Sequence, residues 1–323
     1  MEKVYRIICP DSALSKEERV DQLFEEIREW IYSDALKKLI SIFDDNDLEK
    51  KIGDDLKSDI EKIHDFAGIW DFRKGKERWL IEDESFVKDN EKTIQEAAHS
   101  LGLKDIVTTD KEADYILPLG GARSSNHVRP LMSKKVIDDN GWSGKKIMAL
   151  SGTRPISDIE RPYIEKYAPD AVTEFDAINR GLELSYGLQA YSEKRHDDDN
   201  INTCSAVRHY DKKYKDCDIY SLAAPSSEPD KRRANSIDTF NFLLDEFHIS
   251  KYDKLLLITS CIYVPFQSLR FMDLAIENGF EVDCLGSDIL DNFSLRKPGN
   301  YLQEIKSTVD AIYGLSSKYL KDD

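Results

Sequence analysis

Cysteine is sparse and scattered in this chain. Cys9, Cys204, Cys217, Cys261 and Cys284 form no CxxC pair, and five is an odd count. They give no sign of a disulfide framework. His196 and His209 fall near Cys204 and Cys217, but the spacing matches no zinc pattern, so no metal is expected. Long apolar runs are missing too. The start, MEKVYRIICPDSALSKEER, has no apolar core long enough for a signal peptide. No run approaches the roughly 20 apolar residues of a membrane span. Positive charge is in deficit: 46 Lys and Arg stand against 62 Asp and Glu, a net charge of −16. Nonspecific nucleic-acid binding and docking on an anionic membrane both need a basic face, so neither is expected. Neither a Walker loop nor GxGxxG occurs, so no nucleotide class follows from spacing and redox chemistry is not indicated. A reduced, soluble, cytoplasmic protein is the expectation, with its oligomeric state left open.

What is present falls into two textures. Residues 1–108 read as a charged helical region. Glu17–Ile40 carries Val20, Leu23, Phe24, Ile27, Trp30 and Ile31 at helical spacing. Leu48–His64 continues with Ile52, Leu56, Ile60 and Ile63. The aromatic and basic segment Trp70–Trp79 reads as a packed linker, with a ligand lid as the alternative. Lys92–Leu103 predicts another helix. From 109 to 323, β-rich runs alternate with helical stretches. The strands are Asp114–Leu119, Lys146–Leu150, Asp218–Ala223, Lys254–Thr259 and Glu281–Leu285. Helices are predicted at about 126–139, 156–167, 174–187, 237–248, 265–278 and 299–320. This alternation predicts an α/β fold: a Rossmann-like, mostly parallel sheet with helices on both faces. The polar segment 188–216 reads as a long loop or insertion.

Two strand ends are alike. Ile116-Leu-Pro-Leu-Gly120-Gly121-Ala-Arg123 is followed by Ile147-Met-Ala-Leu-Ser151-Gly152-Thr-Arg154. Their separation is about that of one strand–helix–strand unit. Small residues admit a ligand close to the backbone, and arginine grips carboxylate or phosphate with a planar fork. All five strands end in small or hydroxyl residues, which fits a row of turns lining a ligand crevice. An acidic protein that binds an anion must concentrate its cations, and Arg123, Arg129, Arg154 and Arg161 cluster here, with Arg232, Arg233 and Arg270 further on. Ordinary surface pairing is the plain alternative.

Other residues invite roles. His127 is an acid–base candidate or a solvent-facing helix residue. Pro155 suits a helix start, and Arg154, Asp158 and Arg161 would share one face of that helix and pair there, a caution that extends to Glu160. Thr173 and Asp176 resemble a capping box, which leaves Glu174 to accept a ligand hydroxyl or act as general base. Ser236 is a natural N-cap, with Asn235 and Thr239 in excess of need. Thr259 and Ser260 close a buried strand, and Cys261 reads as a bystander thiol.

From about 112 to 290 this motif order resembles the YdcF-like family of SanA and ElyC type. The matching residues are Gly120–Gly121, Ser151–Gly152, Glu174, Ser236 with Thr239, and Thr259–Ser260. Tyr263 stands where that family has a histidine. The resemblance implies a Rossmann-like domain with a pocket for a nucleotide-like or phosphorylated ligand. The expected function is therefore an enzyme for a small anionic substrate, by group transfer or hydrolysis, with S-adenosylmethionine or a nucleotide as possible cofactor. Glu174 would be catalytic. Gly120, Gly121, Arg123, Ser151, Gly152, Arg154, Asn235, Thr239, Thr259, Ser260 and Tyr263 would bind. The alternative is a non-catalytic sensor that signals through its helical region.

Overall fold

The computed structural model describes residues 3–44, 47–73, 85–109, 111–288 and 296–321. It divides into two compact units. One gathers Met1–Ile106, Cys261–Glu281 and Ser294–Asp323; the other gathers Val107–Ser260 and Val282–Phe293.

The first unit is helical: α1 (Lys16–Ile31), α2 (Asp34–Phe43), α3 (Leu48–Lys51), α4 (Leu56–Ala67), α5 (Ser85–Asp89) and α6 (Glu91–Ser100). The stretch Glu17–Ile40, read as helical, holds two helices. Ser33 breaks it, because its side chain accepts from the Leu36 amide and starts α2 afresh. Ser15 and Glu18 form a capping box on α1, which buries Leu23, Phe24, Ile27, Trp30 and Ile31. Trp70 is fully buried edge-on to Phe43 and Phe66; Trp79 lies outside the described residues. Two helices from the far end of the sequence complete this unit, α11 (Val264–Asn278) and α12 (Pro298–Tyr319). Both fall within 109–323, the stretch expected to form the α/β part.

The second unit holds a seven-stranded sheet in the order β3-β4-β5-β2-β1-β6-β7. The strands are β1 (Tyr115–Pro118), β2 (Lys146–Gly152), β3 (Tyr191–His196), β4 (Ser205–Tyr214), β5 (Cys217–Ala224), β6 (Lys254–Thr259) and β7 (Glu281–Gly286). β5, β2, β1 and β6 run parallel, in registers such as Ile147 with Ile219 and Leu117 with Leu257. Every residue of β1 is buried, as expected of a parallel strand covered on both faces. α7 (Ser125–Asn140) and α9 (Glu174–Tyr186) pack on each other and against β1, β2, β5 and β6. α10 (Ser236–Glu246) also covers β2 and β5, which leaves it the opposite face. From β1 the chain winds outward through β2 to β5, then returns beside β1 as β6. The switch point of this doubly wound sheet therefore lies between β1 and β6.

Two segments differ from expectation. Residues 188–216 contain β3 and β4, which extend the sheet antiparallel from β5. Along β4 the buried positions alternate, but they are Ala206, Arg208 and Tyr210, so hydropathy hides the strand. Arg208 is sheathed by the Tyr191 ring at 3.7 Å and bonded to Glu193 at 2.8 Å. The predicted helix over 156–167 shrinks to α8 (Arg161–Ile164). Around it, Ile156, Ile164, Tyr167, Ala168 and Ala171 build a small core of their own with Ala177. Pro155 starts no helix; it pairs with Thr173 in an antiparallel bridge that closes this excursion. Among the described residues no helix is long and apolar enough to cross a membrane.

Candidate functional site

The carboxyl end of β1 sits beside the switch point. Gly120 donates its amide to the Leu150 carbonyl at 2.5 Å, so β1 and β2 stay paired past the end of β1. A Cβ at Gly120 would collide with Glu174 Oε1 and lie 2.9 Å from the Leu150 oxygen. Glycine is needed here for close approach. Asn126, in the first turn of α7, closes a reciprocal pair on Gly121: its side chain accepts from the Gly121 amide at 2.9 Å and donates to the Gly121 carbonyl at 2.7 Å. Arg129 is buried and ties both sides of the switch point. It donates to the Leu119 and Gly120 carbonyls at 2.8 and 2.6 Å and to Ser260 Oγ at 3.2 Å.

Glu174 begins α9, above a Thr173–Asp176 capping box as expected. Its side chain is 13% exposed. Oε2 accepts from Arg154 Nε at 2.9 Å. Oε1 abuts Gly120 and accepts from no donor among the described residues. Burial pushes the Glu174 carboxyl above its ordinary range, while Arg154 and Arg233 pull it back. Arg154 is itself doubly engaged, since Nη1 and Nη2 clasp Glu160 at 2.7 and 2.8 Å. Burial alone would raise Glu160, but Arg154 and Ser157 outweigh it and hold the carboxyl low. Arg154 thus faces two carboxylates, and an incoming anion would compete with both. Its partners are not Asp158 and Arg161, because residues 154–160 are not helical.

Arg123 is buried in the left-handed conformation, φ 57°. Its guanidinium lies 4.4 Å over the Tyr163 ring, and its carbonyl accepts from Tyr167 Oη at 3.0 Å. His127 stacks on Tyr167, and burial lowers its pKa. Arg123 and His127 therefore clasp the 153–173 excursion to the start of α7. A cation held over a ring is less available to a ligand.

The other expected residues divide. Ser151 Oγ donates to the Leu222 carbonyl at 3.0 Å, a bond between neighbouring strands. Gly152 borders open space. Thr259 Oγ1 is buried, with no hydrogen-bond partner among the described residues. Asn235, rather than Ser236, caps α10: its side chain accepts from the Ile237 and Asp238 amides. Thr239 donates to the Asn235 carbonyl at 2.9 Å. Both excess polar groups are thus spent on the helix start. Tyr263 precedes α11 in the helical unit. The structure brings together Gly120, Gly121, Arg154, Glu174 and Ser260. To these it adds Arg129, Glu160 and Arg233, of which the first and last showed in the sequence only as members of arginine clusters.

Comparisons with known proteins point away from the resemblance drawn above. A family model described as the Rv3785 N-terminal domain matches residues 15–102. The protein named Rv3785 of Mycobacterium tuberculosis is 26% identical over 341 residues, spanning 96% of this chain and 94% of the relative. Mb3814 of Mycobacterium bovis matches to the same extent, and both carry the description "uncharacterized". No solved structure matches the chain. The YdcF-like resemblance is corrected accordingly, because the matches are to Rv3785-type proteins. The misleading motifs were pairs of small residues at strand ends, which any doubly wound sheet needs where helices begin close to strands. This chain is similar, across nearly all its length, to the Rv3785 protein of Mycobacterium tuberculosis.

Proposed function

We propose that the α/β unit binds a small anionic ligand, nucleotide-like or phosphorylated, across the carboxyl ends of β1, β2 and β6. On this reading Glu174 meets a ligand hydroxyl and moves its proton, in a group transfer or hydrolysis. One observation carries it: Glu174 is nearly buried, with one oxygen held by Arg154 and the other uncommitted against Gly120. General acid–base work favours a carboxyl whose pKa lies closer to the operating pH, and burial moves Glu174 that way. Ligands of doubly wound sheets lie at this edge, beside the switch point. Gly120 and Gly121 let a ligand approach the backbone where α7 begins.

A non-catalytic sensor is the second reading. It is favoured by the closed Glu160–Arg154–Glu174 network, which binding without turnover could leave intact.

Thermal-shift measurements against nucleotides, S-adenosylmethionine and sugar phosphates test binding, and mass spectrometry of any ligand found tests turnover. Glu174→Gln is expected to cut turnover by roughly a hundredfold or more while sparing most binding. If Glu174 acts as the base, wild-type turnover climbs as pH rises through a pKa above the ordinary carboxylate range, and the variant loses that limb. Unchanged turnover in the variant removes Glu174 from the chemistry. Turnover absent in the wild type, with binding intact, selects the sensor.

A further inference from the structure

The two strand-end arginines are committed inside the protein, so the cation that meets an anionic ligand lies elsewhere. The loop after β5 holds three in a row, Lys231-Arg232-Arg233. Lys231 pairs with Glu228 at 3.0 Å. Arg232 pairs with Glu228 and with nearly buried Asp238, and also donates to Ser227 Oγ at 2.8 Å and to the Arg233 carbonyl at 3.1 Å. These bonds fix the backbone of the loop. Arg233 remains: it is exposed, and among the described residues no hydrogen bond or ion pair reaches its guanidinium. The loop is held beside the end of β2: Asn202 donates to its Pro229 carbonyl at 2.8 Å and accepts from its Ser226 amide at 2.7 Å, while Thr153, next to Arg154, donates to the Ile201 carbonyl at 2.8 Å. From there the charge of Arg233 acts on Glu174.

Building on the reading above, we propose that Arg233 binds the phosphate of a hydroxyl-bearing phosphate ester, a sugar phosphate or nucleoside monophosphate, whose hydroxyl rests on Glu174 Oε1. Glu174 supplies an acceptor with no donor, and Arg233 supplies donors with no acceptor. A ligand that satisfies both carries a hydrogen-bond donor and an anion. The donor is a neutral hydroxyl rather than an ammonium, because Arg154 already bonds the carboxylate at 2.9 Å and the charge of Arg233 adds to it. The anion sits apart from the hydroxyl, since Arg233 forms no ion pair with Glu174 itself. In a chain of net charge −16, a guanidinium with no internal partner among the described residues also concentrates attraction for an anion locally.

The test compares ligand pairs that differ only in the phosphate: adenosine with adenosine 5′-monophosphate, and ribose with ribose 5-phosphate. Calorimetry or ligand-observed NMR reads the ratio of affinities in each pair for wild type, Arg233→Gln and Arg233→Lys. Wild type is expected to prefer at least one phosphorylated probe by roughly ten- to hundredfold, the range of a charge-assisted contact. Arg233→Gln is expected to bring the ratio of affinities within each pair to about one, and Arg233→Lys to restore part of the preference. Because Arg233 has no internal partner, both variants should melt as wild type does. A preference that survives in Arg233→Gln overturns the role of Arg233 and leaves the Glu174 site standing. Equal affinity of wild type for both members of each pair overturns the phosphate. No binding of any probe, or of S-adenosylmethionine, overturns the site reading together with this one.

Discussion

A glycine decides how near Glu174 comes to the end of β1. At Gly120 even a methyl group would strike Glu174 Oε1 on one side and the Leu150 carbonyl on the other. The second neighbour is backbone and cannot swing aside, so the carboxylate must yield. Gly120→Ala is therefore expected to lower stability by about 1–3 kcal/mol, the usual cost of overpacking. It should also detach Glu174 from Arg154 and weaken ligand binding beyond what the stability loss explains. Denaturant unfolding and the binding assay, run side by side, check this. Binding equal to wild type would mean that Glu174 does not need its present seat. The residue scale is also where sequence reading reached least. Glu174 and Arg154 were each visible, but their bond depends on the Pro155–Thr173 bridge, a pairing of distant positions. Glu160 reaches Arg154 through a local turn at Ser157 rather than along a helix, and Arg123 turned inward because Tyr163 and Tyr167 come back over it.

Elements were far more legible. β1, β2, β5 and β6 are short apolar runs buried on both faces, and such runs stand out in any charged sequence. α7 and α9 between them, and α11 after β6, end at Gly141, Gly187 and Gly279, all left-handed. β3 and β4 were missed because polar residues occupy their inward positions, as Arg208 does beneath Tyr191. Helix pairing had its own hidden requirement. α7 and α9 meet at Gly181, where a Cβ would run into the Asn126 carbonyl oxygen and lie 2.9 Å from the carbonyl carbon. Gly181→Ala should then cost about 3 kcal/mol despite the gain in helix propensity, because backbone opposes it. A midpoint shift in urea unfolding measures it; a neutral or stabilising result would mean the two helices can slide apart freely. Since Asn126 also holds Gly121, the same variant is expected to loosen the start of α7.

At the scale of the molecule, the helical unit is assembled from three stretches of sequence. The family model covers residues 15–102, yet α4 and α6 both pack against α12, which begins at Pro298. A fragment of residues 1–106 alone is expected to leave that apolar surface in water. Circular dichroism should show reduced helix, and a hydrophobic dye should bind strongly. A fragment that unfolds cooperatively and ignores the dye would show that α12 is dispensable.

The same arrangement bears on the order of synthesis. α1 to α6 leave the ribosome well before α12, and their core lacks a wall until α12 has followed. β1 to β6, by contrast, lie within one continuous stretch, Val107–Ser260, whose sheet can begin to form while the rest is still being made. The helical unit then closes after the sheet has begun to form, although α1 to α6 precede the sheet in the sequence. A chain stalled or clipped before Pro298 would display unsatisfied apolar helices, the kind of surface that chaperones and proteases read. Completion of the helical unit thus reports that synthesis has passed α12.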